Sequence, residues 1–337
     1  SAVVRFKIKG EEGYFLAWTT TPWTLPSNVA LCVHPDLEYA KVKAADGNLY
    51  ILAVARLDAV LSGLAKEGEE AYSILETCKG KDLVGLSYEP LYDGAEKEAE
   101  RQHKKAHIVV SDHYVSADDG TGIVHIAPAF GEDDGRIGRE NDLALVKFVD
   151  SEGKLTAETP FFGMRCKPTE KEVADGAISA DPEVLKDLEK RGLLFDAPKF
   201  EHSYPHCWRC GTPLIYYARE SWFIKMTAVR DELVANNNTV NWIPESIGKG
   251  RFGDWIENVQ DWSLSRDRYW GTPLNVWECK DCGEQEAIGS IKELSERADN
   301  YKEVLDKLKA EGDKGYSSDY VGYEHIELHK PYVDYLK

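Results

Sequence analysis

The chain has 337 residues, 42% of them apolar, with 59 acidic against 41 basic side chains and a formal charge of −18. That length permits two domains with ordinary cores, and no apolar run approaches the ~18 residues of a membrane span. So acidic a chain is a poor general binder of polyanions, and no basic N-terminal segment followed by an apolar stretch marks it for secretion.

From Ser1 to about Ala53 the pattern predicts strands. Val4, Phe6 and Ile8 alternate, Glu11-Glu12-Gly13 turns the chain, and Tyr14–Trp18 runs back. The chain begins inside this strand pattern, as a fragment would. Asp46-Gly47-Asn48 is a hairpin signal within Tyr39–Val54. Leu57–Leu64 has helical spacing, short strands are expected at Tyr72–Thr77 and His107–Val110, and the charged run Glu96–Lys105 reads as a solvated helix or loop. Leu145–Val149 and Lys154–Thr156 flank Asp150-Ser-Glu-Gly153 as a further hairpin. A helix is predicted from Asp181 as N-cap and Pro182 at its first position to Gly192. After Asp196-Ala-Pro198 the character changes, so a domain boundary is placed near residue 200; a last helix is predicted over Ile291–Lys309. Many short strands between turn signals make residues 1–200 a mainly β domain, a closed β-barrel with helical excursions.

Seven cysteines include two Cys-x-x-Cys pairs, Cys207/Cys210 and Cys279/Cys282, each followed by glycine and separated by 68 residues. This favours a reducing compartment and structural zinc over a disulfide framework. A thiol-redox role is the alternative, without thioredoxin-like surroundings to support it. Cys32, Cys78 and Cys166 read as inert, buried thiols.

Two stretches carry candidate chemistry. Trp18-Thr-Thr-Thr-Pro-Trp-Thr-Leu-Pro-Ser-Asn28 packs four threonines, two indoles and two prolines into a rigid, hydroxyl-rich edge where no long regular strand can form. A strand end with turn-forming polar residues is the plainer reading. Gly120–Asp134 reads as a strand with His125 embedded, a break at Pro128, and a helix start with Glu132, Asp133 and Asp134 in its first turn. A carboxylate there is held ionised by free N–H groups and the helix dipole, ready to meet an ammonium group. Such acidic residues are most often caps, and His125 can equally be a core histidine.

Taken together, the two stretches resemble the editing domain inserted in isoleucyl-tRNA synthetase, a class I aminoacyl-tRNA synthetase. The valine and leucine relatives carry Thr-Thr-Arg-Pro, an acidic residue and Thr; here Thr21 and Trp23 stand in the Arg and acid places, which favours the isoleucine enzyme. The resemblance continues through His202–Cys210, Gly250–Gly253 and Trp262–Pro273, nearly the whole chain. It implies an editing domain over 1–200, then over 201–337 an incomplete α/β, Rossmann-like part of the catalytic body with the cysteine knuckles.

The implied activity is hydrolysis of valine from the 3′ end of the tRNA for isoleucine, in the cytoplasm, with the rest of the catalytic body as partner and no membrane. Asp134 is expected to bind the substrate ammonium, His125 to line the amino-acid pocket, and Thr19, Thr20, Thr21 and Thr24 to hold the terminal adenosine, the ester or the water. Trp18 and Trp23 are expected to wall the pocket. No Ser–His–Asp or Cys–His set is legible, so water attack without a covalent intermediate is expected. In this family each Cys-x-x-Cys pair completes its zinc site with cysteines outside the segment, so two half-sites are implied. The signatures for ATP and magnesium, His-x-Gly-His and Lys-Met-Ser-Lys-Ser, are absent, so that chemistry is expected only of the full-length enzyme. In Ser265–Trp270, Asp267 stands where many relatives carry Gln, and no substrate contact is carried over to it. The competing readings are a non-catalytic, zinc-stabilised tRNA-positioning module and a valine enzyme's editing domain.

Overall fold

A computed structural model describes residues 1–65, 68, 70–200, 203–265, 273–318 and 322–337. The chain divides into two compact units, Ser1–Ala218 and Arg219–Lys337. The first therefore extends beyond the boundary read near residue 200. Ile215 and Tyr217 pack against its core, and the Ala218 N–H donates to the Ala129 carbonyl at 2.8 Å.

In the first unit β1 (Ala2–Lys7) and β2 (Tyr14–Thr19) form the expected hairpin, from Ala2 opposite Thr19 to Lys7 opposite Tyr14. β3 (Ala30–Val33), β4 (Glu38–Ala44) and β5 (Leu49–Ala53) follow, the last two joined through the Asp46-Gly47-Asn48 turn, where Asp46 accepts the Asn48 N–H at 3.0 Å. Then come α1 (Leu57–Leu61), β6 (Tyr72–Lys79), α2 (Gly80–Leu83), α3 (Asp93–Gln102), β7 (Ile108–Ser111) and β8 (Ile123–Ile126). The unit continues with α4 (Glu132–Glu140), α5 (Glu170–Ala174), α6 (Ala180–Lys190) and β9 (Leu194–Asp196).

The nine strands make one mixed sheet, ordered β6-β4-β5-β2-β8-β3-β7, with β1 on β2 and β9 on β1. This corrects the closed barrel to a half-barrel. Among the described residues β1 and β7 share no ladder; the short segment between them makes only the single bridges Ile8–Tyr88 and Ser87–Ile108. Gly85, at φ +90°, turns the chain just before that segment. Because β3 is buried on both faces, its side chains divide: Leu31 and Val33 join Phe6, Phe15, Trp23, Tyr88 and Ile123 in one core, and Ala30 and Cys32 join Ala95, Ile126 and Ile137 in another. Cys32 and Cys166 are buried, and burial pushes the Cys166 thiol up to about 12; Cys78 is only half-buried.

Two local expectations need correction. The Asp150 carboxylate holds the turn of the hairpin around Asp150–Gly153 by accepting the Glu152 and Lys154 N–H groups, but beyond one Val149–Leu155 bridge no ladder forms, and Lys154 and Leu155 pair instead with Arg165, Met164 and Gly163. Asp181 does not cap α6; Ser179 holds that position. Asp181 sits in the first turn and is drawn away to Lys167 and the Trp23 N–H. The charged run Glu96–Lys105, read as helix or loop, is helical over most of its length, within α3.

In the second unit the described residues form α7 (Arg230–Asn237), α8 (Glu245–Lys249), α9 (Arg251–Glu257), α10 (Ile291–Arg297) and α11 (Tyr301–Glu311). Its strands are β10 (Phe223–Ile224) with β11 (Trp262–Ser263), β12 (Val276–Glu278) with β13 (Gln285–Ala287), and β14 (Tyr316–Ser318) with β15 (Glu324–Ile326). All three pairs are antiparallel, so the parallel sheet of a Rossmann-like segment does not form among the described residues. The helix expected over Ile291–Lys309 breaks at Ala298–Asn300, where the Asn300 side chain donates to the Tyr335 carbonyl and accepts the Lys337 N–H. Of the sequence motifs, Glu201–His202 and Arg266–Thr272, which includes Asp267, lie outside the described residues. No helix is long and apolar enough to cross a membrane among the described residues.

Candidate functional site

The two motifs meet because β2 and β8 are parallel neighbours, with Trp18 opposite Val124. Thr19–Thr21 and His125–Pro128 therefore leave the sheet at the same end. Gly120 lets the second motif lie on the first: its φ is +62°, and a Cβ there would stand 2.7 Å from the Trp18 ring. Arg56 holds that loop from below, donating to the Gly120 and Asp118 carbonyls at 2.9 Å each.

Beyond Thr19 the prolines end the strand, and Pro22–Ser27 forms a buried 3₁₀ helix. It begins with Pro22, whose fixed φ suits a helix start. The Thr24 N–H and hydroxyl both donate to the Thr21 carbonyl, at 3.0 and 2.8 Å. Thr19, Thr21 and Thr24 form a run of hydroxyls, with Oγ1 separations of 3.4 Å and 3.3 Å. The half-exposed Thr20 hydroxyl has no protein partner among the described residues. Trp23 is only 2% exposed and packs edge-on to Phe130 at 5.1 Å, so it belongs to the core beneath the threonines and walls no open surface. Trp18 is half-buried and meets Phe200 edge-on at 5.3 Å.

His125 is 6% exposed and has both ring nitrogens engaged. Nε2 lies 2.8 Å from Thr24 Oγ1, and Nδ1 lies 3.4 Å from Asn28 Nδ2. The tautomer follows from the network. Tyr88 donates its hydroxyl to Asn28 Oδ1 at 2.6 Å, which turns the amide N–H groups toward the Ala30 carbonyl and His125 Nδ1. An accepting Nδ1 leaves the proton on Nε2, which donates to Thr24 while Thr24 donates to Thr21. Burial pulls the His125 pKa down to about 4, so the ring is neutral near pH 7. With both nitrogens committed, it holds Thr24 in place and is no free base. Neither Asn28 nor Tyr88 was singled out from the sequence. Asn28 closes the threonine motif, but nothing local marks Tyr88, whose partner lies 60 residues away.

Asp134 is the third residue of α4, after the extended Gly131. Its Oδ1 accepts the Ala127 N–H at 2.7 Å, at the end of β8, and a Cβ on Gly131 would stand 2.4 Å from its Oδ2. The helix start does not by itself set the charge of this carboxyl, which is ionised near pH 7 only against the cost of burial. Burial pushes its pKa up to about 6, outweighing the backbone N–H groups that pull the other way. Its neighbours Glu132 and Asp133 are exposed. Among the described residues Asp134 makes no hydrogen bond to the threonines, and what connects it to His125 is the β8 backbone.

Each cysteine pair forms a tight knuckle. The Cys207 N–H donates to the Thr212 carbonyl and the Gly211 N–H to the Cys207 carbonyl, both at 2.8 Å; Cys279, Gly283 and Glu284 repeat the arrangement at the tip of the β12–β13 hairpin. Gly211 and Gly283 have φ of +69° and +73°. A hydrogen bond from Thr212 lowers the Cys210 pKa, and the Cys282 N–H does most to lower that of Cys279, as suits thiolate ligands. Cys207 and Cys210 belong to the first unit, Cys279 and Cys282 to the second. None of the four joins a convergent group of three or more ligands among the described residues, so each pair offers a metal two sulfurs.

The family model for class I tRNA synthetases (I, L, M and V) matches residues 21–323. The isoleucine–tRNA ligase of Clostridium novyi is 47% identical over 339 residues, covering 100% of this chain and 28% of the relative. That of Bacillus thuringiensis (strain Al Hakam) is 45% identical over 335 residues, covering 99% and 28%. The chain thus spans little more than a quarter of the length of the curated relatives it matches. Among solved structures it resembles the editing domain of P. knowlesi cytosolic leucyl-tRNA synthetase, with 14% identity and a TM-score of 0.40 over 57% of this chain and 94% of that one; a likeness that slight bears no argument. From the family match over residues 21–323, the chain belongs to the class I tRNA synthetases of the I, L, M and V group.

Proposed function

We propose that this chain hydrolyses valine from mischarged tRNA for isoleucine, as the editing part of an isoleucyl-tRNA synthetase. The observation that carries the reading is the pairing of β2 with β8, which brings a prearranged threonine edge to one end of the sheet beside the end of β8, whose Ala127 N–H donates to Asp134. The need for such a site is energetic. One methylene is worth only about 1–3 kcal/mol in an apolar pocket, isoleucine against valine being the standing illustration, so a second pocket must reject what the first admits.

In this reading ionised Asp134 binds the substrate ammonium through a charge-assisted hydrogen bond. Thr20, whose hydroxyl has no protein partner among the described residues, and Thr21 face the ester or the attacking water, while Thr19 and Thr24 hold Thr21 in place. His125, neutral and fully bonded, closes the floor of the pocket against a longer side chain, with Trp18 at its side and Trp23 supporting it from beneath. With no available base or nucleophile in the set, the water attacks directly and no acyl-enzyme forms.

Zinc, held by Cys207/Cys210 and Cys279/Cys282 as two half-sites, would supply structural cross-links. The fit rests on the knuckle turns and the lowered thiol pKa values. Amino-acid activation with ATP and magnesium belongs to the longer synthetase, whose other parts complete the catalytic body. Release of valine from mischarged tRNA tests the reading. Hydrolysis by the chain and its loss in Asp134→Ala, with the fold kept, is expected. Unchanged hydrolysis in that variant overturns the role of Asp134, and tRNA binding without turnover by the native chain favours a non-catalytic positioning module. Preference for threonine on the tRNA for valine would assign the site to a valine enzyme.

A further inference from the structure

We propose that His34, Asp36 and His113 form a surface site for a divalent transition-metal ion of the zinc type, distinct from the cysteine knuckles and from the threonine edge. Their ligand atoms all lie within 4.8 Å of one another. His113 Nδ1 stands 3.8 Å from Asp36 Oδ2, and the two imidazoles meet edge to face with ring centres 5.0 Å apart.

The fold, rather than chance rotamers, brings them together. β3 and β7 are parallel neighbours with Val33 opposite Ser111, so both chains leave the sheet at one corner, His34–Asp36 from one and His113 from the other. Both loops are tethered. The Asp112 N–H donates to the Val33 carbonyl at 3.0 Å, Tyr39 accepts the His34 N–H at 2.9 Å, and the Lys81 N–H donates to the Pro35 carbonyl at 3.0 Å. Arg136 grips the Asp112 carboxylate with two bonds of 2.7 and 3.1 Å, so Asp36 is the carboxylate left to face the imidazoles.

Two imidazole nitrogens and one carboxylate oxygen suit zinc, nickel or copper, whereas magnesium and calcium prefer all-oxygen shells. Around zinc, bonds of about 2.0–2.2 Å place neighbouring ligand atoms roughly 3.3–3.5 Å apart. The 3.8 Å pair is nearly there, and the exposed side chains can close the remainder. At present His34 Nδ1 accepts the Asp36 N–H at 3.1 Å. A neutral ligating imidazole must carry its proton on the nitrogen that does not bind the metal, so His34 gives up that bond whichever nitrogen turns to the ion. The released N–H is exposed and takes water instead. Three protein ligands leave further coordination positions to solvent, the arrangement of an open site.

The test is carbethoxylation of individual histidines by diethyl pyrocarbonate, read by peptide mass spectrometry on the full chain with and without zinc chloride. Zinc should slow modification of His34 and His113 together by several-fold while leaving exposed His103 unchanged. Asp36→Asn or His34→Ala should remove the protection of His113, and Cys207→Ser/Cys210→Ser should leave it intact. Each variant's melting curve checks that it folds. The proposal is overturned if millimolar zinc protects neither histidine, if protection of His113 survives in both His34→Ala and Asp36→Asn, or if magnesium protects equally.

Discussion

Replacing Asp134 with asparagine should stabilise the first unit while abolishing the hydrolysis proposed above. Burial raises the carboxyl from its ordinary 3.8 to about 6. Between those values the native carboxyl holds more proton than the unfolded one, so stability falls as pH rises from about 4 to about 6, and the full cost remains above that. At about 1.36 kcal/mol per unit, the cost of ionised Asp134 near pH 8 is about 3 kcal/mol at most. Asparagine keeps the size and can still accept the Ala127 N–H, but it cannot ionise. We expect a gain of about 1–3 kcal/mol at pH 8 that shrinks to almost nothing at pH 4. Hydrogen exchange at the β8 amides measures this in the first unit alone, where a whole-chain melting point would mix two units. A variant no more stable than the native chain at pH 8, or one with the same gain at both pH values, refutes the account of Asp134 as an ionised group held at a cost for its function.

Tyr88→Phe removes the bond that orients Asn28 and so, through the amide, fixes the His125 tautomer. It should cost about 1–3 kcal/mol, the range for orphaning a buried acceptor, and urea melts of this variant, Asn28→Ala and the double variant should show coupling, not simple addition. His107 and His125 are both pulled to about 4 by burial. Their native forms bind fewer protons than the unfolded chain between about 4 and 6.5, so each loses up to about 3 kcal/mol of stability on acidification through that window. Asp134 opposes this below about pH 6, so Asp134→Asn should steepen the acid loss in a pH series of denaturant midpoints. Gly120→Ala meets both a positive φ and the Trp18 ring, whereas Gly153→Ala, at φ +77° with open space around it, meets strain alone. Thermal melts should show the first more costly than the second, by about 1 kcal/mol or more.

Much of this protein can be read along its own chain. The β1–β2 and β4–β5 hairpins were legible because alternation and turn residues are local signals, and the strand, break and helix of Gly120–Asp134 formed as Pro128 and Gly131 foretold. Motif order alone pointed to the family, since several long stretches must coincide. Other features are settled by distant partners. The Ile291–Lys309 pattern held its period, but the C-terminal residues captured Asn300 and split the helix. Asp181 looked like a cap until Lys167 and the Trp23 N–H, far away in sequence, took its carboxylate. The helix start argued for an easily ionised Asp134, and only the packing around it showed that burial raises its pKa to about 6 and makes that charge costly. His125 could be read from its motif, but its tautomer depends on Tyr88, and the His34–Asp36–His113 corner exists because two strands run parallel. Periodicity and turn chemistry are properties of a few consecutive residues, whereas burial, tautomer and ligand convergence depend on what the folded chain places beside them.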